Sequence, residues 1–571
     1  MSRFTVNDTP SGSKTLVFAG PPEIRIHSAY DPVREAERAA SAFNPGRATA
    51  ILVCGLGLGY HVAALRSRLP NRAVIALEKD PEVVRLARAS CPSNLEGAHI
   101  IGSPGDIPSL LESFDIDMFR GKAVYFHRPS YLLGKDFYDS MVADISRYFS
   151  SKLSDLLTRF EFEERWIANI FANLPRSFDA GRVADLFGKF SGFPGIIVSA
   201  GPSLRKNASM LGRLRGRALI VSVDTALKVL LRHGVEPHIV MTIDAQKHSI
   251  KHFLGERPGG TVLLADMVSY PRIADVYQGK IMFSTTAKYY NGPDGGVRRE
   301  PTPAMDWVER HIEPPGDIQS GGSVATSAFD LLLNLGCSPI VLVGQDLAYT
   351  GREIHSTGTH HNGEWLTRTT RFLNLDGINQ RVIRKRKIKY VEAYGGGGTV
   401  ISDYVFDLYR SWFEDSALKV AVPVINAGGE GARIAGTVER PLESLLDEFP
   451  VRTPGPVEIL RRSMAPGARS ARALRTALED ALDATGAAAS LAARPAGEFT
   501  DAERQLLLDT ASRALPELFS PFLRRTNAYL ARHAELSAER SAGILFADIA
   551  AAARKLQRHL ASCRARIDDL P

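Results

Sequence analysis

The apolar run Gly195–Val198 ends in Ser199-Ala200-Gly201-Pro202-Ser203-Leu204 and then turns basic at Arg205 and Lys206. A strand that stops at a Gly-Pro-Ser turn just before a helix leaves backbone N–H groups pointing off the end of a sheet. Such a turn can hold an anion. Ser320-Gly321-Gly322-Ser323 opens an apolar, helix-like run in the same way. Asp224-Thr225, Asp244 and Gln345-Asp346 each stand where another short apolar run stops, and Tyr349 follows three residues after Asp346. His355, His360 and His361 come next, three imidazoles within seven residues. Histidine takes a proton near neutral pH, and three together are also a pattern that holds a metal ion. The loop-like separation of His355 from His360, with no acid beside them to complete a triad, favours the proton acceptor, and no metal site is expected.

The elements that must position these residues alternate. From about 190 to 435, short apolar runs such as "RALIVSV", "HIVMTIDA", "GTVLLADMV", "KIMFSTT" and "SPIVLVGQD" are separated by helical patterns. They read as parallel strands covered on both faces. In such a sheet every motif named above falls on one carboxyl edge, where α/β proteins bind ligands. Residues 1 to about 185 repeat the alternation around "ATAILVCGLGLGYHVAAL" and "RAVIALEKDPEVVRLARA". Gly55, Gly57 and Gly59 after the first of these strands and Glu78 after the second resemble the first two motifs of S-adenosylmethionine-dependent methyltransferases. No catalytic element follows them, so a scaffold without methyl transfer is the expectation. Beyond about 450 the chain is rich in Ala, Leu and Arg, and Pro495, Pro516 and Pro521 break it into helices. The expected fold class is α/β: two Rossmann-like parallel-sheet domains, 1–188 and 189–445, followed by an all-α domain, 446–571.

Composition sets the outer limits. The 571 residues are too many for one ordinary core, and 44% hydrophobic with 23% charged residues describes a soluble globular chain. A net charge of +7 permits an anionic partner without requiring one. Cys54, Cys91, Cys337 and Cys563 stand far apart, in no metal-knuckle or redox spacing. No apolar run is long enough for a signal peptide or membrane span, so the expectation is a cytoplasmic protein without membrane insertion. The basic run Arg381–Tyr390 alternates with apolar residues before "YGGGG" and reads as an exposed hairpin, so nucleic acid is not an expected partner.

In order and position, "SAGPSL", "VSVDTA", "MTIDA", "SGGSVATSAFDLLLNLG" and "VLVGQDLAYTGREIHSTGTHH" resemble the motility accessory factor family of flagellin glycosyltransferases. The central domain of that family is similar to glycosyltransferase family 42 sialyltransferases, and 6-hydroxymethylpterin diphosphokinase-like proteins share the pattern. The likeness continues more weakly through "VINAGGEGARIAGT" and, in domain order, along the whole chain. Where family 42 has Gly-Asn-Gly-Pro-Ser-Leu, this chain has Ser199-Ala200-Gly201-Pro202-Ser203-Leu204.

The resemblance implies transfer of a nonulosonic acid, pseudaminic or legionaminic, from a CMP-linked donor to Ser or Thr of flagellin, with no cofactor required. It implies donor contacts from Gly201, Pro202, Ser203, Ser320, Gly321, Gly322, Ser323, Gln345 and Asp346, and ribose or base contacts from Asp224, Thr225 and Asp244. Tyr349 would donate to the leaving phosphate. His355 would be the base, with His360 in reserve. Pyrophosphate transfer from ATP and a non-catalytic, flagellin-binding assembly factor are the alternatives. Each motif alone also has a structural reading: Gly-Pro-Ser-Leu as a common turn, Ser-Gly-Gly-Ser as close helix packing, Asp346 as a cap or turn former.

Overall fold

The computed structural model describes residues 3–112, 114, 119–291, 296–464, 470–533 and 535–570, so part of the arginine-rich stretch after Arg461 lies outside the described residues. It divides into two compact units, one of residues 1–161, 290–298 and 524–541 and the other of 162–289, 299–523 and 542–571.

In the first unit, β1 (Ala50–Cys54), β2 (Ala73–Leu77), β3 (His99–Ile101) and β4 (Lys122–Phe126) form a parallel sheet in the order β3-β2-β1-β4. The order reverses between β1 and β4, which opens a crevice of the kind that holds nucleosides in such sheets. Here His27 and Ser130 fill the part against the glycines, and a cavity of about 160 Å³ lined by Gly57, Glu78, Asp80, Ser130 and Tyr138 remains beside them. A Cβ on Gly57 would lie 2.3 Å from His27 Nε2, and one on Gly55 2.2 Å from Ser130 Cβ. The glycines make room for those two side chains. His27 is delivered by an antiparallel meander, Phe4–Asp8, Lys14–Phe18 and Ile24–Arg25, that the sequence reading did not contain. Glu78 is spent on its own turn: one carboxylate oxygen accepts from the Leu56 N–H at 2.9 Å and the other from the Asp80 N–H at 3.0 Å.

Three buried histidines pack together. The His61 and His127 rings stack 4.0 Å apart with 9° between their planes, and His27 lies 5.1 Å from His127. The His61 Nε2–H donates to the Gly55 carbonyl, and the Leu58 N–H donates to His27 Nε2. In-plane lone pairs of parallel rings cannot converge on one ion, and that of His27 Nε2 is already used. The trio is packing. Burial pushes His61 down to about 4 and holds His27 and His127 well below their ordinary value of 6.5.

The second unit carries a larger sheet: β5 (Gly195–Val198), β6 (Leu219–Val223), β7 (Ile239–Thr242), β8 (Val262–Asp266), β9 (Ile281–Ala287), β10 (Asp317–Gln319), β11 (Ile340–Val343), β12 (Val424–Asn426) and β13 (Val438–Glu439). Their spatial order is β10-β9-β8-β7-β6-β5-β11-β12-β13, every pairing is parallel, and Gly181–Arg182 adds a short strand beside β9. The register is continuous across β5, where Ile196 faces Ile220 on one side and Val341 on the other.

Successive residues of these strands enter two different cores. Ile239, Met241 and Leu264 pack in one with Leu332 of helix Val324–Asn334, while Val240, Leu263 and Phe283 pack in the other with Leu474 and Leu556 of helices Arg472–Ser490 and Ala538–Asp568. Burial on both faces is why the strands read as unbroken apolar runs. The fold class is therefore the expected one, parallel α/β with a helical C-terminal region. The basic run Arg381–Tyr390 divides: Arg381–Ile383 completes helix Leu375–Ile383, and from Ile388 the chain enters a hairpin with Thr399–Asp403. All four cysteines are free, and among the described residues no helix is long and apolar enough to cross a membrane.

Two outcomes follow from this packing. Gly57→Ala should destabilise the first unit by about 3 kcal/mol, from a left-handed backbone and overpacking together. Gly12→Ala, at a positive φ with nothing within 4 Å of the added Cβ, should cost only about 1 kcal/mol. Hydrogen exchange of the β1 amides measures both. Because the unfolded imidazoles bind protons from pH 6.5 downward while folded His61 resists to about 4 and His27 and His127 are also held low, stability is complete above 6.5 and is lost as pH falls below it. The calorimetric transition of this unit should follow that course, and His61→Gln should flatten it.

Candidate functional site

The chain lays β6 to β10 on one side of β5 and then returns to place β11 on the other. The order reverses there, so the carboxyl ends of β5 and β11 lie side by side at the point where such sheets bind ligands. Gly201-Pro202-Ser203 leaves the first and Gln345-Asp346 leaves the second.

These two turns bind each other. Asp346 accepts the Ser203 N–H at 3.0 Å on one carboxylate oxygen and the Ser203 hydroxyl on the other. The Gly201 N–H donates to the Gly344 carbonyl at 2.8 Å, and the Ser199 hydroxyl donates to Gln345 Oε1. A Cβ on Gly201 would lie 2.4 Å from Asp346 Oδ1, so glycine is needed for the approach. The third partner is the loop after β12, where the Ala432 N–H donates to the Asp346 carbonyl at 2.7 Å. Ser203 is fully buried and Asp346 2% exposed; burial raises the carboxyl pKa while the Ser203 bonds oppose it. The donors that the turn was expected to offer an anion are taken by the Asp346 carboxyl. The next residue, Leu347, holds a left-handed backbone (φ 49°), rare for a side chain of its size.

Asp224 is satisfied locally. It accepts the Thr225 N–H at 2.6 Å and the Thr225 and Thr242 hydroxyls at 3.1 and 2.8 Å, and burial raises its pKa. Asp244 accepts the Gln246 N–H at 2.8 Å and lies 3.3 Å from His248 Nε2. Its side chain stays about one-third exposed. Ser320, Gly321, Gly322 and Ser323 follow β10, and four strands lie between β10 and β5 in the sheet. They cap their own helix: the Ser323 hydroxyl accepts the Thr326 N–H, the Thr326 hydroxyl accepts the Gly321 N–H at 2.9 Å, and Ser320 accepts the Gly322 N–H. Tyr349 is 4% exposed and donates its hydroxyl to Asp403 at 2.5 Å. Asp403 in turn caps helix Tyr404–Lys419 through the Phe406 N–H. The tyrosine expected to face a leaving phosphate is spent on that cap.

The loop from Thr350 to Leu366 is what remains open to chemistry. It is pinned to the edge by the Ser356 N–H on the Ala200 carbonyl at 2.8 Å, by Arg205 to Glu353 at 3.0 Å and by the Lys251–Glu364 ion pair. His360 Nδ1 meets His252 Nδ1 at 3.0 Å. His361 stacks between neighbours, 3.8 Å from the His360 ring and 5.1 Å from that of His355. Burial pushes His252, His355 and His360 down to about 3, with the other imidazoles adding to it, and burial lowers His361 as well. All four are neutral at pH 7, with lone pairs available. His252 and Asp403 were not singled out in the sequence. The signal for the first was present: "KHSIKH" directly follows the β7 edge residue Asp244.

Residues 168–352 match the model of the 6-hydroxymethylpterin diphosphokinase MptE-like family. Two uncharacterized proteins of Treponema pallidum (strain Nichols) are similar in sequence. One is 24% identical over 255 residues, 43% of this chain and 44% of that protein; the other is 27% identical over 131 residues, 22% and 31%. The chain thus spans less than half the length of these curated relatives. In fold it is similar along its whole length to MAf glycosyltransferase from Magnetospirillum magneticum AMB-1, with a TM-score of 0.58 and 14% identity over 100% of this chain and 93% of that one. The resemblance read from "SAGPSL" through "GQDLAYT" holds at the level of fold.

The Asp346–Ser203 pair should be worth a large share of the stability of this edge. Asp346→Ala should lower it by roughly 3 kcal/mol, as expected for two buried bonds to a carboxylate. Adding Ser203→Ala should cost much less than the sum of the single changes. Denaturation followed by tryptophan fluorescence reports this unit, since Trp166, Trp307, Trp365 and Trp412 all lie within it.

Proposed function

We propose that the chain is a glycosyltransferase that moves a pseudaminic- or legionaminic-type nonulosonic acid from its CMP-activated form to a Ser or Thr hydroxyl of flagellin, in the cytoplasm, in support of flagellum assembly and motility. The observation that carries this reading is the whole-chain likeness in fold to a MAf glycosyltransferase. The histidine-lined loop over the carboxyl edge supplies the chemistry it needs.

The reaction is one in-line displacement with inversion. The acceptor oxygen bonds to the anomeric carbon, the bond from that carbon to the phosphate oxygen breaks, and CMP leaves with the electron pair. The acceptor proton passes to His355, which is neutral and free to accept it. Its pKa, near 3 in the unliganded protein, rises when an anionic donor is seated beside it, because negative charge favours the imidazolium. Asp244, the most accessible of the edge carboxylates discussed, is assigned to the donor's ribose or base. Asp224 and Thr225 shape that pocket from beneath, and Tyr349 positions the loop through Asp403. Asp346 and Ser203 hold the two turns in register. His360 is the reserve base.

A second reading, pyrophosphate transfer from ATP, is favoured by the family match over residues 168–352. It requires magnesium and lysines on the phosphates.

Calorimetry on the full chain separates the two. CMP should bind, and ATP with magnesium should not; the reverse outcome selects the diphosphokinase reading. His355→Ala should lower flagellin modification about 10²-fold or more while leaving CMP affinity nearly unchanged, the pattern of a lost general base. Normal modification by His355→Ala and none by His360→Ala would move the role to His360.

A further inference from the structure

We infer that His252, His360 and His361 form a binding site for one borderline divalent cation, of which zinc is the best match. Each offers one ring nitrogen, and the three nitrogens lie within 4.8 Å of one another. The residues come from two separate elements, the short helix Lys247–His252 after β7 and the helix His360–Leu366 beyond β11. Their ring planes cross: 89° between His252 and His360, 71° between His252 and His361, and 43° between His360 and His361.

Crossed planes let in-plane lone pairs converge on a point. The stacked pair His61–His127, at 9°, does not allow this, and neither does His355, whose ring lies 19° from that of His361. The 3.0 Å between the Nδ1 atoms of His252 and His360 corresponds to an angle of about 94° at an ion about 2.05 Å from each nitrogen, within the range that zinc accepts.

The donor set fixes the class of ion. It is three neutral imidazoles. The nearest carboxylates are spoken for, Glu364 by Lys251 and Asp224 by Thr225 and Thr242. Imidazole suits zinc, cobalt and nickel, whereas magnesium and calcium require oxygen ligands. Three protein ligands leave a fourth position for water or a substrate oxygen. The alternative reading of the 3.0 Å contact is an imidazole–imidazole hydrogen bond, in which one Nδ1 carries a proton and no ion binds. This inference rests on ring geometry and its test reads metal binding alone; it touches the sugar-donor reading only at His360, which cannot serve as reserve base while it holds an ion.

The full chain, stripped with EDTA, is titrated with cobalt(II) while visible d–d absorption is followed, and zinc content after dialysis is measured by mass spectrometry. The expected result is about one equivalent per chain, a cobalt spectrum of low coordination number abolished by zinc, and no competition from magnesium. His252→Ala and His360→Ala should each weaken binding by more than about 100-fold, beyond the loss of an outer-shell partner. His355→Ala and His61→Ala should retain it. Should the alanine variants unfold, the wild-type stoichiometry and cobalt spectrum decide. Zinc content far below one equivalent, a fully hydrated cobalt spectrum, or binding lost in His61→Ala but kept in a folded His252→Ala each overturns the inference.

Discussion

Two strands that end side by side where a parallel sheet reverses direction aim unpaired backbone groups at the same space, and something must satisfy them. In the larger sheet that something is Asp346. Its buried carboxylate takes both donors of Ser203, and its backbone carbonyl takes the Ala432 N–H. Three segments that are remote in sequence, the turns after β5 and β11 and the loop after β12, are fixed by one residue. The left-handed backbone of Leu347 and the close approach of Gly201 are consequences of bringing them that near.

Under the proposed function, the chemistry is consequently assigned to the loop that leaves the turn. With Asp346, Asp224 and Tyr349 all satisfied by the protein, the candidate-site groups with capacity left for a proton or a ligand are part-exposed Asp244 and the imidazoles of the Thr350–Leu366 loop and of His252. The low proton affinity of the imidazoles comes from burial together, and it keeps their lone pairs available across the physiological range. The first unit shows the same topology used differently. There His27 and Ser130 pack against the glycines that resemble a nucleoside-binding turn, beside a small cavity that reaches Glu78.

A good part of the framework was legible. The strand-end motifs could be placed along one edge because a strand buried on both faces has a distinctive run of apolar residues, and their spacing by helical segments dictates parallel connections. The helical C-terminal region was visible from its Ala and Leu content and its prolines. The N-terminal meander was not, since strands of five, five and two residues carry too short an alternation to register. The basic run at Arg381–Tyr390 was read as one element because its pattern suits a hairpin, yet its first residues continue the helix that precedes it.

Residue types and their order along the chain determined the sheet, its ligand edge and, His252 excepted, the list of groups able to do chemistry there. Tertiary structure alone decided which of those groups are free. Ser203 and Asp346 are 143 residues apart, Tyr349 and Asp403 54, His252 and His360 108. Whether a hydroxyl or imidazole is spent or available depends on the partner that packing brings to it, and a partner at that separation leaves no periodicity or spacing in the sequence to read.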